Sequence, residues 1–372
     1  MTLPMPLRRP ALAVAAAVVV LLAGCSAPGS VPETGPTAGA SASIPLADLD
    51  LLDDPRAYEG ESTAVLAATS VEPVTENPES TLPATVTSHD LAGDSEVTVT
   101  SNERILGLDL AGSIAATIFG LGFGDNVVGR DVSTTFPGAV DLPLVTSGGH
   151  SINSESILAL RPTVIITDGT VGPTDVVLQL REAGIPVVYV DTDPDLDGVT
   201  ELTHQVAAAL GADATGDLLA ERTQSEIEDT IAQISAIAPT EESDKLRIAF
   251  LYLRGSAGIY YLFGEGSGAD VLVDALGGID VAEEINWSGM KPMTDEALVA
   301  ANPDLVLVMT DGLESAGGVD GLLETKPAIA LTKAGEHRRF VDMADGEILS
   351  FGPRTPGVLD ALARAIYAPN AK

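Results

Sequence analysis

The sequence has a single cysteine, Cys25, and few basic residues among its 372 positions. One cysteine cannot form an internal disulfide, so no such bond constrains the fold. Only 19 Lys and Arg side chains stand against 54 Asp and Glu, which gives a formal net charge of −35. This acid excess argues against nucleic acid or an anionic membrane surface as a partner. Any anionic ligand would therefore need a local basic pocket.

Histidines and the motifs of common enzymes are also scarce. The four histidines are His89, His150, His204 and His337, and they fall in separate predicted elements. A zinc or manganese site needs several converging ligands, so the pattern disfavours an uptake protein for those metals. We find no phosphate loop, no nucleophile elbow and no converging acid/base pair, and the sequence therefore indicates no enzymatic function.

The first 25 residues have the pattern of a bacterial lipoprotein signal. Arg8 and Arg9 precede an apolar run over 11–22 that is too short to span a bilayer as a stable helix. The run closes on Leu-Ala-Gly before Cys25, which would be diacylated after export. Cleavage would remove both arginines and bring the charge to about −37. The mature protein is then expected on the outer face of the cytoplasmic membrane, held by lipid only. The alternative is an ordinary secretory signal with a coincidental cysteine.

Residues 26–83 are rich in Ser, Thr, Pro, Gly and Glu and lack a sustained apolar period. Such a segment cannot bury enough apolar surface to offset its ordering entropy. We predict a disordered tether, and we expect a chain starting near Thr81 to fold as well as the full mature chain.

The remaining chain predicts an α/β protein with two lobes. An N-terminal lobe spans 84–196, connecting helices span 197–239, and a C-terminal lobe spans 240–372. The first lobe opens with a hairpin over 84–87 and 96–100. Its further predicted strands are 104–109, 127–129, 143–145, 164–167 and 187–191, and its predicted helices are 112–121 and 173–183. This alternation favours a mainly parallel sheet covered by helices on both faces.

The connecting region predicts two helices, over 198–210 and 212–238. At about 1.5 Å per residue, the second would be long enough to run between two lobes. Pro239 ends it, and a strand over 245–253 opens the second lobe.

The two lobes share a sequence repeat. Residues 154–166 read SESILALRPTVII, and residues 295–307 read DEALVAANPDLVL. Both predict a short helix with a glutamate in its first turn, then a proline that ends the helix before a buried strand. The ligand of such a two-lobed molecule is expected between the lobes, near the carboxyl ends of the strands.

This combination of lipobox, tether, two lobes, long helix and repeat resembles the substrate-binding proteins of ABC importers for haem, siderophores and cobalamin. Gly148-Gly149-His150 and the stretch Phe250–Gly255 resemble the haem-binding proteins of Gram-positive uptake systems, the HmuT type. The resemblance implies two Rossmann-like lobes bridged by a long α-helix, the helical-backbone periplasmic binding protein fold. It also implies a monomer that captures ferric haem and delivers it to an ABC permease with its ATPase, with haem-donor surface proteins as further partners.

The resemblance makes His150 and Tyr252 the axial ligands of the haem iron. His150 follows two glycines that would let the backbone approach a large flat ligand. A phenolate oxygen suits ferric iron, and Arg254 lies on the same face of the predicted strand, where a cation favours the phenolate. Taken from the residues alone, a surface histidine, a packed tyrosine and a surface ion pair of the arginine remain open.

Weaker cleft candidates are Arg130 and Lys291, which lie on predicted loops and would meet a haem propionate or remain solvated cations. The resemblance further assigns Glu155 and Glu296, at equivalent positions of the repeat, to docking on the permease. The alternative is that each only satisfies its own helix dipole. Two other functions stay open, a ferric siderophore or cobalamin carrier of the same importer class and a lipid-anchored haem-degrading or redox enzyme.

Overall fold

The computed structural model describes residues 44–147, 149–255 and 259–371. The predicted lipoprotein signal with Cys25, the first part of the tether and Gly148 lie outside the described residues. Within the described ranges, no helix is both long enough and apolar enough to cross a membrane.

The N-terminal lobe is built on three parallel strands. A short strand, β1 (Ser62–Thr63), precedes it. Its own elements in chain order are β2 (Ala84–Ser88), β3 (Ser95–Val99), β4 (Ile105–Leu108), α1 (Ser113–Gly120), β5 (Thr146–Ser147), β6 (Ser151–Ile152), α2 (Ser154–Leu160), β7 (Val164–Thr167), α3 (Thr174–Glu182) and β8 (Val187–Tyr189). Strands β4, β7 and β8 form the sheet in that order, while β2 with β3 and β5 with β6 form antiparallel hairpins.

Most of the predicted elements of this lobe are confirmed, with two exceptions. The predicted strand over 127–129 is a single bridge between Ile105 and Val127, and that over 143–145 is a single bridge between Arg130 and Leu144. A short apolar run also fits a loop, and the loops found here bury Val127 and Val145 while leaving Leu144 exposed.

Two helices connect the lobes, α4 (Leu196–Ala209) and α5 (Asp213–Ile237). The long predicted helix is thus confirmed. Leu219 of α5 is buried in the core of the N-terminal lobe, while Ile227 and Ile234 are buried in the core of the C-terminal lobe. Burial of each such side chain contributes about 1.5–3 kcal/mol, so one helix is held by both lobes.

The C-terminal lobe contains a larger mixed sheet. Its elements are β9 (Arg247–Arg254), β10 (Ile259–Phe263), α6 (Ala269–Ala275), β11 (Ile279–Asp280), α7 (Val281–Glu284), β12 (Met290–Pro292), α8 (Asp295–Ala301), β13 (Leu305–Met309), α9 (Thr310–Ser315), α10 (Gly318–Thr325), α11 (Pro327–Ala330), α12 (Lys333–Glu336), β14 (Phe340–Met343), α13 (Asp345–Ile348) and α14 (Thr355–Tyr367). The strand order is β1-β14-β13-β9-β10-β12, with β11 paired to β9. Strand β9 lies at the centre and is buried along most of its length.

The sequence repeat forms matching structures in the two lobes. Helices α2 and α8 are both seven residues long. Asn153 caps the first through Ser156 N, and Thr294 caps the second through Ala297 N. The residue after each helix is left-handed, with φ of 48° and 45°, and a proline and a buried strand follow. A left-handed residue followed by proline ends a helix sharply, so both helices stop at the same place.

The prediction of a disordered tether up to Pro83 is wrong for residues 44–83. Strand β1 extends the C-terminal sheet by pairing in parallel with β14, Ser62 opposite Val341. Leu46, Ala64 and Leu66 of this segment are 0–3% exposed and belong to the core of the C-terminal lobe. These apolar residues are isolated in sequence and show no period, so only the tertiary structure reveals that each is buried.

A buried arginine fastens the same segment to the C-terminal lobe. Arg339 is 1% exposed, and its guanidinium lies 4.6 Å from the centroid of the Tyr58 ring. It donates hydrogen bonds to the Ser62 hydroxyl at 3.2 Å and to the Ile366 carbonyl at 2.6 Å. Burial lowers the pKa of Arg339 to about 10. Residues 44–66 are therefore part of the folded C-terminal lobe, whereas Val71, Val74 and Leu82 of the same segment pack against the cores of the N-terminal lobe.

Truncation to Thr81 should consequently destabilise the protein, contrary to the expectation from the sequence. The point variant Leu46→Ala should lower the free energy of unfolding by about 2–5 kcal/mol, because it removes a fully buried side chain. Leu91→Ala is the matched control, since Leu91 is 76% exposed and should change stability by less than about 0.5 kcal/mol. Urea unfolding followed by circular dichroism measures both, and equal midpoints for the two variants would contradict the assignment.

Candidate functional site

Tyr252 and Arg254 lie at the carboxyl end of the central strand β9. The Arg254 Nε donates a hydrogen bond to the Tyr252 hydroxyl oxygen at 3.0 Å. The guanidinium carbon also lies 5.6 Å from the centroid of the Tyr252 ring. Tyr252 is half-buried and Arg254 exposed, and the hydrogen bond to Tyr252 is the main cause that raises the pKa of Arg254. The predicted same-face pair thus forms, and its cation stabilises negative charge on the phenolic oxygen.

A row of aromatic rings fixes the position of Tyr252. Tyr261 of β10 is its direct partner in the antiparallel ladder, and the two ring centroids are 6.2 Å apart. Phe263, two residues after Tyr261 on β10, has its ring centroid 6.4 Å from that of Tyr252 and 4.7 Å from that of the core residue Phe250. Such ring pairs contribute about 0.5–1.5 kcal/mol each beyond area burial. The tyrosine is therefore anchored to the hydrophobic core of its lobe.

The neighbouring Tyr260 points to the opposite face of the sheet. It is 2% exposed, and its hydroxyl donates to Asp295 Oδ1 at 2.7 Å. Burial, with that hydrogen bond, raises the pKa of Tyr260 well above its ordinary value. Of the adjacent tyrosines only Tyr261 therefore shares a face with Tyr252.

His150 lies in the tight turn of the β5–β6 hairpin rather than just after a strand over 143–145. The hairpin pairs Ser147 with Ser151, and the His150 carbonyl accepts the Gly172 amide hydrogen at 3.3 Å. The His150 side chain is exposed and makes no hydrogen bond or ion pair within the described ranges. Its imidazole is thus available to an external ligand.

The two weaker basic candidates differ in their surroundings. Arg130 is half-buried and uses its guanidinium within its own lobe, donating to the Val140 carbonyl and to the Asp131 carbonyl at 3.0 Å each. Lys291 lies on β12, exposed, with its Nζ 3.3 Å from the Ser288 hydroxyl. Lys291 is free to reach a ligand, whereas Arg130 has only part of its donor set left.

Exposed apolar side chains surround Arg130. Leu110, Val132, Val140 and Leu144 are 37–47% exposed, although each is large and hydrophobic. Val140 and Leu144 contact Arg130 through a hydrogen bond and a strand bridge, and the Leu110 carbonyl accepts the Ser133 hydroxyl at 2.6 Å, in the loop that holds Val132. A cluster of exposed apolar groups on an otherwise acidic surface indicates a binding surface for an apolar ligand.

A pair of buried carboxyl groups beside these loops was missed by the reading of the sequence. Asp109 follows β4 and caps α1 by accepting from Ser113 N at 2.8 Å and from Ile114 N at 3.2 Å. Asp131 accepts from Asp109 N at 3.1 Å and from the Thr134 amide at 2.8 Å. Burial, then the charges of Asp131 and Asp168, raises the pKa of Asp109 well above its ordinary value. The only signal in the sequence was an aspartate directly after a buried strand.

Glu155 and Glu296 lie in the first turns of α2 and α8, at matching positions. Both side chains are exposed and form no hydrogen bond or ion pair with any residue the structure describes. Within the described residues, both carboxylates are therefore accessible to an external partner.

The fold and these sites define a substrate-binding protein with two α/β lobes on a helical backbone. The periplasmic binding protein family model matches residues 110–345, and the chain belongs to that family. Members of this family carry substrates for transport and are not enzymes, which confirms the prediction that the chain is not an enzyme.

The chain is similar to several known proteins. It is 26% identical over 287 residues to an uncharacterised ABC transporter substrate-binding lipoprotein of Bacillus subtilis, YvrC, covering 76% of this chain and 86% of that protein. It is 29% identical over 230 residues to a cobalamin-binding protein of Halobacterium salinarum, covering 60% of this chain and 59% of that protein.

Among solved structures, a variant of the haem-binding protein HmuT matches with a TM-score of 0.81 and 37% identity, over 87% of this chain and 97% of that chain. The resemblance seen in the sequence is thereby confirmed. Three HmuT structures carry a single alanine substitution, one at a histidine, one at a tyrosine and one at an arginine two positions after that tyrosine.

The raised pKa of Asp109 predicts a specific dependence of stability on pH. The native protein retains a proton that the unfolded chain releases near pH 4, so this group's contribution falls as pH rises from there toward the raised pKa. In Asp131→Asn a neighbouring negative charge that raises the pKa of Asp109 is gone, so the fall of stability above about pH 4 should be shallower.

Urea unfolding across that pH range measures the slope, with the exposed Asp125→Asn as matched control. The control subtracts the general effect of removing one charge from an acidic protein. Identical slopes for the two variants would show that the charge of Asp131 does not raise the pKa of Asp109.

Proposed function

We propose that this protein captures ferric haem between its two lobes and delivers it to an ABC permease. The observation that carries the proposal is the hydrogen bond from Arg254 to the Tyr252 hydroxyl. It places a phenolic oxygen, with a cation to stabilise its ionised form, at the carboxyl end of the central strand. An anionic oxygen of this kind is a hard donor suited to ferric iron. In HmuT, substitutions have been made at a tyrosine and at an arginine with the same spacing, which supports the assignment.

His150 is the second axial ligand in this proposal. Its exposed imidazole has no partner within the described ranges, and its hairpin turn gives it access to a large ligand. Neutral imidazole is a common iron ligand. A histidine is also among the residues substituted in HmuT, which supports this role.

The loops around Arg130 and the strand β12 provide the remaining contacts. The exposed apolar side chains near Arg130 suit a porphyrin face, and Lys291 and Arg130 suit its propionates. These cations matter because the protein carries a net charge of −35, which repels an anionic ligand at long range.

Delivery requires that the protein docks on the permease. We assign this docking contact to Glu155 and Glu296. Each lobe presents one exposed carboxylate from a matching helix, as a partner with two-fold arranged cations would require. A lipid on Cys25 would keep the protein close to that permease on the outer face of the cytoplasmic membrane, where surface proteins would donate haem. The relative YvrC is named a lipoprotein, which supports this anchoring. We propose that the carrier acts as a monomer.

Tyr252→Ala should abolish the six-coordinate ferric spectrum and weaken haem binding more than His150→Ala does, because the anionic oxygen stabilises the ferric state. Arg254→Ala should shift the spectrum and retain binding. Absorbance titration with haem measures both effects. Tyr261→Phe is the matched control, since it keeps the ring beside Tyr252. An unchanged spectrum in Tyr252→Ala would remove the ligand assignment.

The second candidate function is transport of cobalamin or a ferric siderophore. The relative of Halobacterium salinarum named a cobalamin-binding protein favours the first of these. Tyr252 and His150 would then line the pocket without touching a metal. Titration of the apoprotein with cyanocobalamin, ferric siderophores and haem in parallel separates the candidates, because haem held by Tyr252 and His150 gives a six-coordinate ferric spectrum, whereas a carrier of either other ligand binds that ligand and takes up no haem. A reductant-driven loss of that spectrum with product release would instead indicate haem degradation.

The docking assignment predicts a separation of binding from transport. Glu155→Arg with Glu296→Arg should leave the haem spectrum and affinity unchanged, while haem-stimulated ATPase activity of the reconstituted transporter falls to the basal rate. The reason is that two charge reversals oppose cations on the permease. Glu265→Arg with Glu324→Arg gives a matched control for the change in net charge. Normal stimulation by the docking double variant would refute the assignment, and loss of haem binding would place both glutamates in the cleft.

A further inference from the structure

Two arginines occupy matching positions beneath helices α2 and α8. Arg104 immediately precedes β4, the first strand of the N-terminal sheet, and Arg247 is the first residue of β9. The Arg104 guanidinium donates to the Leu160 carbonyl at 2.9 and 2.6 Å and to the Arg161 carbonyl at 3.2 Å. The Arg247 Nη1 donates to the Asn302 carbonyl at 2.9 Å. Each lobe thus uses an arginine to hold the end of its short helix.

The backbone around each arginine repeats the same arrangement. Arg104 N donates to the Thr163 hydroxyl at 3.1 Å, and Thr163 N donates to the Arg104 carbonyl at 2.7 Å. Arg247 N donates to Asp304 Oδ2 at 3.1 Å, and Asp304 N donates to the Arg247 carbonyl at 2.8 Å. Thr163 and Asp304 are equivalent positions of the sequence repeat, so the match covers main-chain and side-chain bonds alike.

These bonds act where a helix end most needs partners. The last carbonyls of a helix have no intrahelical donor, and a cation there also complements the helix dipole. A helix of seven residues has little stability of its own. Each helix here ends in a left-handed residue and a proline, so its orientation depends on what holds its carboxyl end.

We infer that Arg104 and Arg247 are positioning residues for transport: they fix the orientations of α2 and α8 so that Glu155 and Glu296 face the permease. The inference rests on the proposed docking role of these glutamates. Both arginines are half-buried, and neither belongs to the ligand site at Tyr252 and His150. Their loss should therefore affect docking and leave haem binding in place.

The test uses the haem-loaded full chain with Arg104→Gln, Arg247→Gln and the double variant. Amide hydrogen exchange over 154–161 and 295–302 should be faster by about tenfold in the helix whose arginine is changed, and unchanged in the other helix. The protein concentration for half-maximal stimulation of the transporter ATPase should rise about fivefold for each single variant and further for the double variant. The haem spectrum and affinity should stay those of the wild type.

Two controls separate the helix contact from other effects. Arg222→Gln removes a guanidinium–carbonyl bond of α5 to Glu72, at 2.9 Å, and should change neither readout. Glu284→Gln removes the ion pair of Arg247, at 2.6 Å, and keeps its bond to α8. Where a glutamine variant folds poorly, Arg104→Lys and Arg247→Lys retain the charge with a single donor group and should give intermediate effects.

The outcomes distinguish this inference from the docking proposal. Unchanged exchange in α2 and α8 would overturn the inference, as would normal ATPase stimulation despite faster exchange. If the double charge reversal at Glu155 and Glu296 also stimulates normally, the docking proposal itself has failed. If the double charge reversal abolishes ATPase stimulation while the arginine variants stimulate normally, the docking proposal stands and only the positioning role of the arginines is refuted.

Discussion

In each lobe one pair of parallel strands sets the positions of the short helix and of the proposed ligand site. Strand β4 pairs with β7, and β9 pairs with β13, and the second strand of each pair follows one of the matching short helices. Parallel strands bring all their carboxyl ends to one edge and all their amino ends to the other. The first strand of each pair, β4 or β9, therefore has its carboxyl end at the proposed ligand site and its amino end at the proposed docking helix.

The two lobes bring different chemistry to the proposed ligand site. The C-terminal lobe offers an oxygen donor with its own cation, anchored to the core by aromatic rings that extend from Tyr252 to Phe250. The N-terminal lobe offers an imidazole on a hairpin turn, an apolar surface, and a buried carboxyl pair beneath it. Burying two carboxyl groups is costly unless protons or hydrogen bonds compensate, and here backbone amides of α1 provide several of those bonds.

The lobes are joined by more than the helix α5. Arg354, 6% exposed, pairs with Glu347 at 2.7 Å and lies 5.5 Å from the Phe136 ring of the other lobe. Close by, a Cβ added at Gly346 would lie 2.3 Å from the Ser133 carbonyl oxygen. Only glycine therefore permits the backbone segments of the two lobes to approach so closely at this point. The N-terminal segment adds to these contacts, because Leu46 and Leu66 are buried in the core of the C-terminal lobe while Val74 and Leu82 pack against the core of the N-terminal lobe.

The sequence by itself determined the class of fold, the long connecting helix, the repeat, and the pairing of Tyr252 with Arg254. These features follow from local rules, because helix period, proline stops and the two-residue period of a strand act over short distances. Only the tertiary structure decided that residues 44–83 pack on the two lobes, that His150 lies in a hairpin turn, and that Asp109 and Asp131 share a buried site. It also decided that Arg104 and Arg247 hold the ends of matching helices. Each of these features depends on residues that are far apart in the chain. Their contacts are set by packing and by the need to give buried polar groups hydrogen-bond partners, and a local sequence pattern contains no information about either.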